Sequence, residues 1–261
     1  MNILRYKSLP STFTYICEHA PQMAHGTVVI ADWQDAGRGQ RGNSWESEEG
    51  KNLLPSLLVK MPGFPAKSQF HLSQAVAMGI VEGVREATGV ECSVKWPNDI
   101  YIGDRKLSGI IISHSLQAAT DPEVGATIAH TAIGFGLNVN QTEFRSDAPN
   151  PISLRQATGR DWPLEPLLQR VLSAVMRELE ALGAPAGYCS EATAEATASL
   201  HARYMARLWR GSDGPWPFYD VLTGERFLGT VYAVEPLGHL VLRDAADSRL
   251  RRYAFKEVSW Q

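Results

Sequence analysis

The chain has 261 residues, is 44% hydrophobic and 20% charged, and carries a formal net charge of −3. That is enough for one large domain, or one domain with a small appendage, around a real core. The charge argues against a nucleic-acid-binding surface, which is usually basic, and no run of about eighteen apolar residues is present to span a membrane. The opening Met1-Asn2-Ile3-Leu4-Arg5-Tyr6-Lys7 lacks the apolar core of a signal peptide. Cys17, Cys92 and Cys189 are odd in number and far apart, with neither metal-ligand nor disulfide-framework spacing. Reduced, mostly buried thiols in a cytoplasmic protein are expected.

In chain order, Ile3 to Tyr6 reads as a short strand. Ser11-Thr12 then starts a helix running to about His19. Thr27 to Ala31 is β-branched and predicts a buried strand. The loop of residues 34–52 holds four glycines, and Leu53 to Val59 is the next strand. Between residues 68 and 88, Phe70, Ala75, Val76, Met78, Val81, Val84 and Ala87 fall at helical spacing. Two or three strands surround Lys95, with Gly103-Asp104 as a hairpin turn, and Ala129 to Val139 is a further strand. Residues 164–182 and about 190–209 predict two helices, the first opened by Pro163 and stopped by Gly183. After the breaker cluster Gly211-Ser212-Asp213-Gly214-Pro215 come short alternating runs at Phe218–Val221, Arg226–Val234, Leu240–Arg243 and Leu250–Val258. The expectation is an α+β fold with a mixed sheet packed with helices over residues 1–210. A small β-barrel or curled sheet over residues 211–261 follows as a separate domain.

Three features carry chemistry. Glycines in the loop from Gly37 to Trp45 let successive N–H groups point at one anion, and Arg38 and Arg41 add cationic donors. Taken alone, the Gly-Arg-Gly pattern fits a solvated surface loop as well. It is neither a Walker sequence nor a dinucleotide fingerprint. Lys95 ends an apolar run and is followed by Trp96-Pro97, a stiff turn that would hold the ammonium in place. The alternative is an edge lysine that blunts a strand. Gly134 and Gly136 alternate before Asn138, so one face of that strand has no side chains, and a ligand or a tightly packed neighbour approaches it. A fixed lysine beside a cationic loop suits a phosphate together with a carboxylate, the chemistry of an acid activated by ATP.

Four stretches resemble the biotin protein ligase family: Gln34 to Trp45, Lys95-Trp96-Pro97-Asn98-Asp99, Arg105 to Ile110, and Gly134 to Asn138. They stand in the family's order, and the resemblance runs from about residue 8 to 182. It implies a monofunctional ligase that first makes biotinyl-5′-AMP from biotin and ATP, with magnesium on the phosphates. Biotin then passes to a lysine of a biotin carboxyl carrier domain of acetyl-CoA carboxylase. By resemblance Lys95 and Arg38 are catalytic. Ser11, Thr12, Gln34, Gly37, Arg38, Lys95 and Gly109 would bind biotin, and Gln40, Arg41, Trp45, Lys95 and Asn138 the adenylate. No metal ligand is assigned. Two positions depart from the family pattern: Phe13 replaces a frequent asparagine after Ser-Thr, and Gln40 replaces the second arginine of Gly-Arg-Gly-Arg. The rivals are a lipoate–protein ligase on the same fold and a biotin-sensing transcriptional regulator. Ser11 lies close to the start of the chain, leaving no room for a helix-turn-helix domain ahead of it. Biotin, ATP and a carrier domain are thus the expected partners in the cytoplasm, with no nucleic acid, no membrane, and a homodimer allowed.

Overall fold

The structure is a computed structural model. It describes all residues except 119–124, 147–148, 188–189 and 212, and the side chains of 41 and 190–192 are also outside the description. Cys189 and Ser212, named above, therefore lie outside the described residues.

Seven strands form the main sheet: β1 (Asn2–Leu9), β2 (Thr27–Gln34), β3 (Pro55–Pro65), β4 (Ser93–Lys95), β5 (Asp99–Ile102), β6 (Arg105–Ala118) and β7 (Ala126–Leu137). Their spatial order is β1-β2-β3-β7-β6-β5-β4. The β1–β2 pair is parallel and the other pairs are antiparallel, so the sheet is mixed. A parallel pair needs a crossover, and α1 (Thr12–His19) supplies it, capped by Ser11. Ile16 of α1 packs on Val29, Leu58 and Ala132. The opposite face of the sheet is covered by α2 (Phe70–Thr88) and α4 (Leu164–Ala181), whose buried stripes complete the main core.

Between them lies α3 (Leu154–Thr158), which the sequence reading omits. Its signal is the reciprocal cap Ser153–Gln156, but five residues are too few to show an apolar period. The hairpin expected at Gly103-Asp104 forms, with Gly103 at φ +55°.

After α5 (Ser190–Ala206) the chain builds an antiparallel sheet from β8 (Trp216–Asp220), β9 (Arg226–Val234), β10 (Leu240–Asp244), β11 (Leu250–Tyr253) and β12 (Val258–Trp260). The order is β11-β10-β9-β8-β12. The run Leu250–Val258 is thus not one strand. It breaks at a turn where Glu257 N–H donates to Ala254 O and Lys256 adopts φ +71°. That turn carries β12 across to the far edge, beside β8.

The two sheets share one apolar core that includes Phe218, Leu240 and Tyr253 as well as Val28 and Leu57. Trp96 Nε1 donates to Gly238 O at 3.0 Å. The segment 207–209 pairs with β4 through Val94 N to Arg207 O and Trp209 N to Val94 O, both 2.8 Å. The exposed edge of β4 is thereby covered by the chain that leads into the second sheet. Among the described residues no helix is long and apolar enough to cross a membrane.

Candidate active site

A cleft of about 950 Å³ opens over β6 and β7. The N-terminus of α1, the loop after β2, the β4–β5 turn and the 255–260 segment of the second sheet form its walls.

The floor is neutral. Ser11 Oγ accepts from Thr14 N, and Thr12 N donates to Gln34 Oε1 at 2.6 Å. The Thr12 hydroxyl lies 3.1 Å from Gln34 Oε1, 3.1 Å from Leu54 O and 2.9 Å from Ser56 Oγ. The oxygen of Gln34 is therefore committed. Its amide N–H donors have no protein partner among the described residues, and Gln34 lines the cleft. Ser56 is a site residue the sequence reading missed. Its signal was visible: one hydroxyl inside Leu53-Leu54-Pro55-Ser56-Leu57-Leu58-Val59.

The glycine-bared face of β7 is filled by the chain itself. A Cβ on Gly136 would sit 2.2 Å from the Trp45 indole, and one on Gly109 would sit 3.0 Å from it. Gly134 is approached by Phe13 and Ser56 in the same way, at 3.0 and 3.1 Å. The open question of what approaches this strand thus has a definite answer: two aromatic walls. Lys106 Nζ stands 5.7 Å from the Trp45 ring centroid and is paired with Asp99 at 2.8 Å. The indole Nε1 is buried without a partner.

The glycine and arginine loop closes on itself as a small hairpin. Trp45 N donates to Gly37 O and Gly39 N to Asn43 O, around a 3₁₀ turn at Gln40–Gly42. Arg38 and Gln40 line the cleft; the Arg41 side chain lies outside the described residues. Behind the loop, Glu46 accepts from the backbone N–H groups of Arg145 and Ser146. Burial pushes the Glu46 carboxyl up, but these bonds outweigh it and hold the group below the usual range.

Lys95 stands at the cleft wall, its Nζ donating to Tyr101 OH at 3.1 Å. Burial lowers its pKa, Asp99 opposes that, and the charges of Lys106 and Arg210 add to it. Asn138 is buried. Its N–H groups are engaged by Leu107 O and Ile152 O, while its Oδ1 is buried without a partner; the residue borders the cleft. Every candidate residue read from the sequence whose side chain is described thus borders one cavity, apart from Gly37, which lies just behind it as the partner of Trp45. Besides Ser56, the reading missed Tyr101, Lys106, Lys256 and Trp260 in the lining. Among the described residues no group of three or more His, Cys, Asp or Glu side chains could hold a metal.

Residues 6–138 match the family model for the biotin/lipoate A/B protein ligase family. The chain belongs to that family. It is 36% identical over 152 residues to the bifunctional ligase/repressor BirA of Bacillus subtilis, covering 56% of this chain and 44% of the relative. It is 32% identical over 161 residues to the biotin–[acetyl-CoA-carboxylase] ligase of Mycobacterium tuberculosis, covering 60% of this chain and 53% of that protein. The matches therefore span about half the length of these curated relatives. The fold extends further. Biotin protein ligase from Aquifex aeolicus, solved in complex with biotin and ATP, superposes with a TM-score of 0.74 over 100% of this chain and 98% of its own, at 22% identity. That likeness includes the second sheet, which lies beyond the part matched by the family model.

Proposed function

We propose that the protein is an ATP-dependent biotin–protein ligase of the biotin–[acetyl-CoA-carboxylase] type. The observation that carries the reading is the pairing, in one cleft, of a neutral hydrogen-bonding floor with an ammonium that has no ion-pair partner among the described residues. A ureido ring is neutral and needs uncharged donors and acceptors, which Ser11, Thr12, Gln34 and Ser56 provide. A carboxylate meeting a triphosphate needs cations, which Lys95 and Arg38 provide.

In the first half-reaction a biotin carboxylate oxygen attacks the α-phosphorus. The bond to the bridging β-phosphate oxygen breaks, and pyrophosphate leaves. Lys95 neutralises charge on the carboxylate and the α-phosphate. Trp45 offers a flat wall to adenine, and Asn138 Oδ1 an acceptor to its amino group. Gly37 and Gly109 let the loop and the indole close on the ligand, with Gln40 and Arg41 beside the phosphate. In the second half-reaction an ε-amine of the carrier domain attacks the acyl carbon. The C–O bond to phosphate breaks, AMP leaves, and the nitrogen loses a proton. Magnesium bound to ATP would neutralise phosphate charge. The described residues offer it no ready ligand set, so no step is assigned to a protein-held ion. This reading places the protein in the cytoplasm without a nucleic-acid partner and is compatible with a homodimer. It also treats residues 1–210 as the catalytic domain and 211–261 as a small second one.

Phe13 favours a second reading. Its ring adds an apolar wall over Gly134 beside the floor, and a lipoate or octanoate chain has no ureido group to satisfy. ATP–pyrophosphate exchange with biotin, lipoate and octanoate in parallel separates the two. Exchange with biotin alone is the expected result. Exchange with lipoate or octanoate but not biotin overturns it.

A further inference from the structure

A half-buried ammonium ordinarily acquires a carboxylate partner. Lys95 has none among the described residues. Asp99, whose field reaches it, is engaged by Lys106 at 2.8 Å. The Lys95 Nζ is held by aromatic groups instead. It lies 5.0 Å from the Tyr101 ring centroid and 4.9 Å from that of Trp209, besides its bond to Tyr101 OH. A carboxylate would hold the ammonium and cancel its field. A ring face attracts it and leaves the full positive charge to act on a ligand.

Trp209 does not belong to the strands that carry Lys95. It follows α5 and is fixed from several sides. Its N–H donates to Val94 O, the carbonyl just before Lys95, and its Nε1 donates to Asp104 Oδ1 at 2.9 Å. Its ring packs on Tyr101 and on Trp260 of β12, each at 5.3 Å between centroids. Arg210 stacks on Trp209 and Trp216 and donates to Gln261 O. The rim of the second sheet therefore backs the indole that faces Lys95.

We infer that Tyr101 and Trp209 are positioning residues that hold the Lys95 ammonium against their paired rings without neutralising it, with the second sheet as the support of that cage. The inference rests on the ligase reading for its kinetic consequence and on geometry alone for the cage. Two measurements keep these apart. In proton NMR, with Lys95→Arg used to assign the signal, the Lys95 ε-methylene is expected upfield of ordinary lysines because of the two rings. It stays there in Trp209→Phe and returns towards the ordinary position in Trp209→Leu. In biotin-dependent pyrophosphate exchange, Trp209→Leu is expected to lower kcat by about tenfold with a smaller change in the KM for biotin, and Trp209→Phe to restore most of the rate.

An unshifted ε-methylene in the wild-type chain overturns the cage even if both Trp209 variants fail to fold. A folded Trp209→Leu protein with wild-type exchange overturns the positioning role. An upfield signal in a wild-type chain that exchanges with no acid upholds the cage and overturns the ligase reading instead.

Discussion

The floor and the mouth of the cleft treat polarity in opposite ways. On the floor, Thr12, Gln34, Ser56 and the carbonyl of Leu54 satisfy one another, and Ser11 and Thr12 are almost fully buried. At the mouth, Arg38 and Lys256 are exposed, and Lys95 is held by rings rather than by an anion. Burying a neutral polar group costs little once it is bonded, whereas a buried charge stays costly unless it is paired. The protein therefore places its neutral polar groups deep in the cleft and its cations towards the mouth, where a charge costs less. On the ligase reading proposed above, the uncharged polar head of the acid enters first and its anionic end stays at the mouth.

The largest break in this comparison comes from the mouth. Lys95→Ala is expected to reduce biotin-dependent pyrophosphate exchange by about 10²–10³, because it removes one preorganised charge from developing phosphate charge. The floor stays intact, so biotin binding measured by calorimetry without ATP should fall much less. Equal losses in the two assays would place Lys95 in acid binding alone.

The converse variant attacks the floor. Gln34→Leu removes the amide donors and leaves Thr12 N–H without its acceptor. Losing one such buried bond costs about 1–3 kcal/mol. The KM for biotin should therefore rise roughly 10- to 100-fold, with kcat for exchange little changed. A fall in kcat at unchanged KM would contradict the division of labour between floor and mouth.

Titration sharpens the comparison without mutation. Burial lowers the Lys95 pKa from its ordinary 10.5. Exchange depends on the charged form, so it should decline as pH rises through a value below 10.5, about tenfold for each unit beyond it. Stability moves the other way. The unfolded chain keeps this proton to higher pH than the folded one, so the lysine's penalty to folding is full below the folded pKa and disappears as pH rises past the ordinary value. Loss of exchange in that window, in protein that melts no earlier, therefore reads the lysine. A flat rate up to pH 10.5 would show that its charge is not needed.

Much of this site was legible in local sequence. Ser11-Thr12 was visible as a cap and Lys95 as the end of an apolar run, because both signals lie within a few residues. Gly134 and Gly136 announced a close approach to β7. Which groups approach depends on how the loop after β2 folds back, and no local pattern encodes the 2.2 Å between a Gly136 Cβ and Trp45. Ser56 was readable as a polar break in an apolar strand, but its partner Thr12 is 44 residues away. The aromatic support of Lys95 was the least legible feature. Trp209 reaches it only through the pairing of segment 207–209 with β4. In the second sheet, Leu250–Val258 looked continuous because Lys256 carries no turn signature, although it occupies a left-handed position where glycine is the usual residue.

The smallest expected effect sits on the loop that joins the two regions. Gln40 begins the 3₁₀ turn at the tip of the hairpin and lines the cleft on the side of Arg38. Its amide offers neutral donors, whereas arginine would bring a full charge and a planar fork suited to phosphate. A charge-assisted bond exceeds a neutral one by about 1 kcal/mol, or roughly fivefold in retention. Gln40→Arg should therefore slow release of preformed biotinyl-AMP by about fivefold. Among the described residues no hydrogen bond joins the Gln40 side chain to the floor, so the affinity for biotin itself should change little. A filter-binding chase of labelled biotinyl-AMP from the two proteins gives both rates. Identical rates would mean that the phosphate is already saturated with charge from Arg38, Arg41 and Lys95. A slower release accompanied by tighter biotin binding would mean that the floor and the mouth are coupled through the loop, and the separation drawn between them would have to be abandoned.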